Sequence, residues 1–359
     1  SVFDYDAVGN RLSMETNVTD RPNTPALPPA VTTHYKYDDA NQLISFKTTG
    51  PGIGGAQQTD FTYDDNGNRI TMSGPTRAID YSYDFENRLV AATTFDVLNN
   101  NKQQLDATLN FRYDGLNRRV ERSIMEKGVR KSGNYLYDGL GYDLLAQYVN
   151  PGAPQTTHYY RDPMQVLSRQ EIQGKGAGLN YFYHYDGLGS VSAWTNQAGK
   201  ETQEYTYAPY GRLIDNNGPD NASNKTGPHN SLTFSGKLWD AELETYYFGA
   251  RDYDPATGTW LTQDPYRGRL MEPMTLHRTM YVNDNPISKN DLYGYITIDS
   301  DGTITVDGQK IPVYVPPTYS YDAQNRRIQN SECPSGQQCL TVAPAYYTNV
   351  EPTACVLGP

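Results

Sequence analysis

The chain has 359 residues, including 31 Tyr, 31 Gly and 23 Pro, with 37% hydrophobic residues and a formal net charge of -11. A mean hydropathy of -0.72 speaks against one thick apolar core, while 31 Tyr, 9 Phe and 3 Trp exclude a disordered chain, because a Tyr packs its ring and still hydrogen-bonds through its hydroxyl. The acidic balance repels phosphates, so no nucleic-acid partner is expected, and no apolar run reaches the ~18 residues of a spanning helix.

Taken in chain order, one unit recurs. It reads Tyr5-Asp-Ala-Val-Gly-Asn-Arg-Leu, then Tyr37-Asp-Asp-Ala-Asn-Gln-Leu-Ile, Tyr63-Asp-Asp-Asn-Gly-Asn-Arg-Ile and Tyr83-Asp-Phe-Glu-Asn-Arg-Leu-Val. Copies follow at Tyr113, Tyr137, Tyr185 and Tyr207, with a degenerate one at Tyr160, and the starts lie between 20 residues (Tyr63 to Tyr83) and 32 residues (Tyr5 to Tyr37) apart. Each unit predicts a hairpin. Alternating pairs such as Tyr81-Ser-Tyr83 put both rings on one face. The Asp, Gly and Asn that follow supply turn chemistry and tolerate positive φ. A second strand then opens at the Leu, Ile or Val, and the variable lengths fall in connecting loops such as 17–30 and 49–57. A single hairpin cannot bury its aromatic face, so neighbours must pair edge to edge. The expected fold class is all-β: a long antiparallel ribbon of hairpin repeats over residues 1–245, without helix. Because the numbering begins inside a repeat, the natural chain is expected to continue upstream.

The Tyr-Asp-x-x-Gly-Asn-Arg-Leu unit resembles the YD/RHS repeat of bacterial RHS polymorphic toxins, of the C component of insecticidal Tc toxin complexes and of teneurins. The resemblance implies a β-sheet that spirals into a hollow, cocoon-like shell or β-solenoid. A second stretch, Tyr246-Tyr-Phe-Gly-Ala-Arg-Asp-Tyr-Asp-Pro-Ala-Thr-Gly-Thr-Trp-Leu-Thr-Gln-Asp-Pro265, followed by Tyr281-Val-Asn-Asp-Asn-Pro286 and Asp291-Leu-Tyr-Gly-Tyr295, resembles the RHS-associated core motif, here assigned to residues 246–295. In that family two aspartates form an intramolecular aspartic protease, in which one carboxyl keeps a proton and the other activates water. The residues matching them are Asp264 and Asp291, with Arg251 orienting one carboxylate or making a structural ion pair. The implied cut falls among Tyr295, Ile296, Thr297 and Ile298. Leu292 stands where the family has Pro, Tyr295 where it has Leu, and the two aspartates are farther apart than usual. The alternative is that both merely cap turns.

Residues 296–359 form the variable tail. Hairpins are expected at Asp301-Gly302 and Asp307-Gly308, and Tyr321-Asp-Ala-Gln-Asn-Arg-Arg-Ile328 repeats the Tyr-Asp unit. Cys333 and Cys339 are candidates for a small disulfide loop in an oxidising compartment, leaving Cys355 odd. Neither a metal nor a cofactor is expected: the five histidines are scattered and no His follows His277. Asn17, Asn221 and Asn224 fit the glycan acceptor pattern, and an aromatic such as Trp194 is a candidate platform for carbohydrate.

Together these features predict a secreted or bacterial cell-surface shell fragment that encloses its own C-terminal segment and associates with other shell segments or subunits. Any enzymatic activity is limited to intramolecular cleavage. The alternative is a non-toxic extracellular scaffold, stalk or filament.

Overall fold

The computed structural model describes residues 1–16, 31–98, 102–139, 141–150, 155–161, 165–217, 232–268 and 273–294, and beyond them short backbone segments between 297 and 341. From Val2–Tyr5 to Leu213–Asn217, eighteen strands are hydrogen-bonded neighbours in chain order. Among the described residues there is no α-helix, only the 3-10 turns Phe234–Gly236, Pro273–Leu276 and Val282–Asp284. The all-β antiparallel ribbon expected from the repeats is what forms.

The units at Tyr5, Tyr37, Tyr63, Tyr83, Tyr113, Tyr185 and Tyr207 build the same turn. In the unit starting at Tyr63, the Gly67 amide donates to the Asp64 carbonyl at 2.9 Å, Gly67 takes φ +78°, and Tyr63 faces Arg69 across a one-residue register shift. This is a type I turn closed by a bulge that needs a left-handed residue, which is why Gly or Asn recurs there. The repeat aspartate wires it: Asp64 Oδ1 accepts the amides of Asn66 and Asn68, and Oδ2 accepts the Asn68 side chain. Asp6, Asp84 and Asp114 repeat this pattern, with Arg88 and Arg118 replacing the Asn in the last two.

The repeat tyrosine ties one hairpin to the preceding one. Its hydroxyl donates to the carbonyl that opens the previous hairpin's second strand: Tyr63 to Leu43 at 2.8 Å, Tyr83 to Arg69 at 3.0 Å, Tyr137 to Arg119 at 2.8 Å and Tyr207 to Val191 at 2.8 Å. A Phe would fill the space and leave that carbonyl bare, a loss of about 1 kcal/mol each.

The second strands differ from expectation in one respect. Those of the units at Tyr5, Tyr63 and Tyr113 open on the arginine (Arg11–Thr16, Arg69–Ser73, Arg119–Glu126), and that arginine is buried. The apolar pattern predicts a start at the Leu, Ile or Val that follows, one residue later. In the units at Tyr5, Tyr37, Tyr63 and Tyr83 the tyrosine faces the sixth residue after it, and that position points inward whatever occupies it, Arg11 or Arg69 in some units and Leu43 or Leu89 in others, while the unit at Tyr137 is one residue longer and faces Leu144.

The chain divides into two compact units. The first comprises Ser1–Asn110, Ile124–Val129 and Thr257–Asp284. Its inner face carries Tyr35, Leu43 and Phe61, with Phe46 and Met72 against them. Arg69 lies 4.4 Å over the Phe61 ring and its guanidinium donates to Thr259 Oγ1 at 3.0 Å. Arg11 stands 4.8 Å over Tyr35 and donates to the Thr257 carbonyl. Thus residues 257–259 give two buried guanidiniums the acceptors that aromatic rings cannot.

In the same unit His277 is buried and its Nε2 donates to Asn10 Oδ1 at 2.9 Å, a direction fixed because Asn10 Nδ2 already donates to Asp6 and Asn41. Burial pushes the imidazole down to about 4, against the partial help of its own backbone and Asp6. The unfolded chain therefore binds a proton between pH ~6.5 and ~4 that the folded chain refuses, and stability is lost as pH falls through that window. Urea unfolding at a series of pH values should show an acid limb in wild type, on the order of 2 kcal/mol, that His277→Gln flattens. An identical limb in both proteins rules His277 out as its source.

The second unit comprises Phe111–Ser123, Arg130–Ala256 and Asn285–Pro359. Its core gathers Tyr135, Tyr159, Tyr183, Val191, Trp194, Tyr205 and Tyr247. Trp194 is 2% exposed, with Arg169 3.9 Å over its ring and Tyr181 meeting it edge-on at 4.5 Å, so it offers no open face to a sugar. Leu238–Asp240, Thr245–Tyr247 and Asp252–Asp254 form a short antiparallel meander. The predicted tail hairpin across 307–308 and the extra Tyr-Asp hairpin both pair as expected: Thr303–Val306 with Gln309–Tyr314, and Tyr319–Tyr321 with Arg327–Gln329. Thr297–Asp299 pairs instead with Lys289–Asp291, and the turn expected at 301–302 lies outside the described residues. Also outside them lie Cys333, Cys339, Asn17, Asn221 and Asn224.

Candidate functional site

Within the second unit the sequence motifs converge on a hairpin loop. Lys289–Asp291 and Thr297–Asp299 are its arms, with Asp291 directly opposite Thr297. Asp291 is buried, and its Oδ1 accepts the amides of Tyr293 at 3.1 Å and Gly294 at 2.6 Å, which bends the chain immediately after the strand. Gly294 takes φ +83° and packs under Arg251, where an added Cβ would lie 3.2 Å from the Arg251 amide nitrogen, so only Gly serves there.

Arg251 reaches this turn. Its Nη2 is 3.9 Å from Asp291 Oδ2 and its Nε donates to the Gly294 carbonyl. The backbone of Ala250 donates to the Tyr293 carbonyl at 3.0 Å, and the Lys237 ammonium donates to the Leu292 carbonyl. Burial pulls the Lys237 amine down to about 8 while Asp291 pushes it back up. Tyr293, its hydroxyl pushed up to about 12 by burial, packs at a tilt against Tyr142 with the ring centroids 5.6 Å apart.

Asp264 belongs to the first unit. Its Oδ1 accepts the Tyr266 amide at 2.9 Å, its own amide donates to the Arg278 carbonyl at 2.8 Å, and its carbonyl accepts from Arg278 Nε at 2.7 Å. Arg251 and Asp291 are therefore brought together, and both candidate aspartates cap the turns they begin. Of the predicted cleavage window, Tyr295 and Ile296 lie outside the described residues, and Thr297 and Ile298 are strand backbone opposite Asp291 and Asn290.

Sequence reading missed a buried charge cluster among the described residues of the second unit. Arg119, wholly buried, sits 4.2 Å over Phe111 and 4.0 Å over Tyr247, and binds Asp240 at 2.5 Å and Asp252 at 2.7 Å. Arg122 adds a bond to Asp240 at 2.7 Å and another to Glu242. Desolvation lifts the Asp252 carboxyl to about 6 despite Arg119, because Asp240 competes for the same guanidinium. The available signal was that Arg119 occupies the inward position that Leu43 and Leu89 hold in neighbouring repeats.

A ribbon of Tyr-Asp hairpins closed by an arginine-bound aromatic core motif defines a YD-shell protein. The Teneurin YD-shell family model matches residues 94–299, and the chain belongs to that family. The tRNA3(Ser)-specific nuclease WapA of Bacillus spizizenii is 26% identical over 293 residues, covering 82% of this chain and 11% of that protein. Teneurin-3 of Danio rerio is 27% identical over 194 residues, 53% of this chain and 7% of its own length. The crystal structure of TcdB2-TccC3-Cdc42 superposes with a TM-score of 0.55 at 17% identity, covering 82% of this chain and 15% of that one, which shows a common fold. The chain spans about a tenth of the length of the curated relatives it matches.

Proposed function

We propose that this chain is wall and closing core of a YD shell that encloses its own C-terminal segment, and that it frees that segment by one intramolecular cut. In this reading residues 1–245 are wall, 246–295 the closing core and 296–359 the enclosed tail. The observation that carries it is the loop after Asp291. The carboxylate, Arg251 and the two hairpin arms meet where the family resemblance puts the cut.

The chemistry is peptide hydrolysis. As the family resemblance implies, one aspartate carboxyl removes a proton from water as the oxygen attacks the scissile carbonyl, the other gives its proton to the departing nitrogen, and the residues matching these two are Asp264 and Asp291. The products are a carboxylic acid ending the core and an amine beginning the tail. Arg251 holds the Asp291 turn in place and keeps a positive charge beside it.

Shell relatives also suggest the partners: other shell segments or subunits, as in the TcdB2-TccC3 structures, and the protein's own tail as cargo. A secreted or cell-surface location fits this role. Among the described residues no helix is long and apolar enough to cross a membrane.

Intact-mass measurement of the purified chain tests the proposal. Wild type should resolve into two fragments that break between Tyr295 and Ile298, and Asp264→Asn should remain whole, because the amide keeps the turn cap but cannot cycle a proton. An uncut wild type removes the cleavage step and leaves the scaffold reading.

A further inference from the structure

We infer that Lys237 is a positioning residue for the second aspartate motif: its ammonium holds the Leu292 carbonyl and so fixes the loop leading into the cleavage window. This deepens the cleavage reading above and rests on it.

Three successive carbonyls of the loop are each taken by a donor from the segment 237–251. Leu292 receives Lys237 Nζ, Tyr293 receives the Ala250 amide, and Gly294 receives Arg251 Nε. The Asp291 carboxylate meanwhile takes the amides of Tyr293 and Gly294. Two of the three carbonyl donors come from long side chains, Lys237 and Arg251, and the Lys237 ammonium is the one that two rings confine: Phe248 at 5.4 Å and Tyr293 at 5.7 Å from Nζ to the ring centroid. Such a site confines a cation at a fixed place rather than leaving it in solvent.

Hydrolysis needs the scissile carbonyl and the carboxyls held to within fractions of an ångström, and misplacement by about 1 Å costs on the order of a hundredfold in rate. A cation on Leu292 fixes the loop one residue beyond Asp291 and places positive charge next to that carboxylate. The charged groups facing Lys237 are Asp291, Asp143 and Arg161, with the Tyr293 ring beside them. Both acids also have a guanidinium, Asp143 that of Arg161 at 2.7 Å and Asp291 that of Arg251 at 3.9 Å, and of the two Asp291 acts more strongly on Lys237. Because burial brings the amine to about 8, the hold is complete below that pH and weakens above it, as a neutral amine donates poorly and no longer attracts the carboxylate.

The test follows cleavage by intact mass between pH 6 and 10 in wild type, Lys237→Met and Lys237→Arg, with amide exchange at Tyr293 and Gly294 read in parallel. Wild type should lose rate above about pH 8. Lys237→Met should cut at least about tenfold more slowly and lack that limb, and Lys237→Arg should move the limb to higher pH. Exchange at the two amides should quicken about tenfold in Lys237→Met. The inference is overturned by Lys237→Met cutting at the wild-type rate with the wild-type profile, or by unchanged exchange. Should Lys237→Met fail to fold, a limb that stays near pH 8 in Lys237→Arg overturns it equally. If wild type is never cut, the cleavage reading fails alone, and the exchange comparison still decides whether Lys237 holds the loop.

Discussion

Replacing Arg119 with Met is expected to destabilise the protein by about 3–5 kcal/mol, because it strands a buried carboxylate. Asp240 keeps Arg122, but Asp252 loses the guanidinium 2.7 Å away in a wholly buried setting. The Met keeps most of the stem packed between Phe111 and Tyr247, so the loss reports on charge rather than volume. Urea midpoints measure it. Adding Asp252→Asn to Arg119→Met should recover much of the loss, since removing both partners costs far less than removing one.

The pH dependence follows from the raised Asp252. Its folded carboxyl holds a proton to about 6 where the unfolded one releases it near 3.8. The folded state therefore binds more protons across pH 4–6, and stability at this site falls as pH rises through that window. Arg119→Met should steepen the fall and Asp252→Asn should abolish it. A single-mutant loss below about 1 kcal/mol would show that the network is not balanced on Arg119.

Gly211→Ala should cost about 3 kcal/mol, the sum of backbone strain and a collision. Gly211 takes φ +87°, and a Cβ there would lie 2.6 Å from Phe234 Cδ1. Phe234 cannot retreat: it is 4% exposed and walled by Tyr207 at 5.8 Å, Tyr246 at 5.6 Å and Tyr253 at 6.3 Å. Gly189→Ala is the control. Gly189 has φ +79° in the equivalent turn, but its Cβ would meet nothing nearer than 4.0 Å, so it should lose only the strain, about 1 kcal/mol. Equal midpoint shifts for the two variants would mean that the ring yields and the collision is absent.

The repeat explains why so much of the fold is legible in sequence. Asp and the left-handed Gly or Asn act within one turn, as a double amide acceptor and a positive φ, and the Tyr hydroxyl reaches only the adjacent hairpin, 20 residues back from Tyr63 to Leu43. Strand pairing follows from the turn, so the hairpins and the all-β class were determined before any packing was known.

The arginines show where that legibility stops. Arg69, Arg88, Arg118 and Arg119 look alike in sequence, yet Arg88 and Arg118 pair with aspartates at the turn surface, while Arg69 and Arg119 lie in the core. Local pattern fixes which position points inward, but a guanidinium is stable there only if distant acceptors arrive, Thr259 for Arg69 and Asp240 and Asp252 for Arg119. The motif around Asp291 behaves the same way. Its turn-capping role follows from the next three residues, whereas its neighbours Lys237 and Arg251 come from far along the chain. Sequence by itself determined the hairpin, the ribbon and the residues that make each turn. Only tertiary structure decided which charges are buried and what holds the loop after Asp291, because burying a charge depends on partners that come from far along the chain.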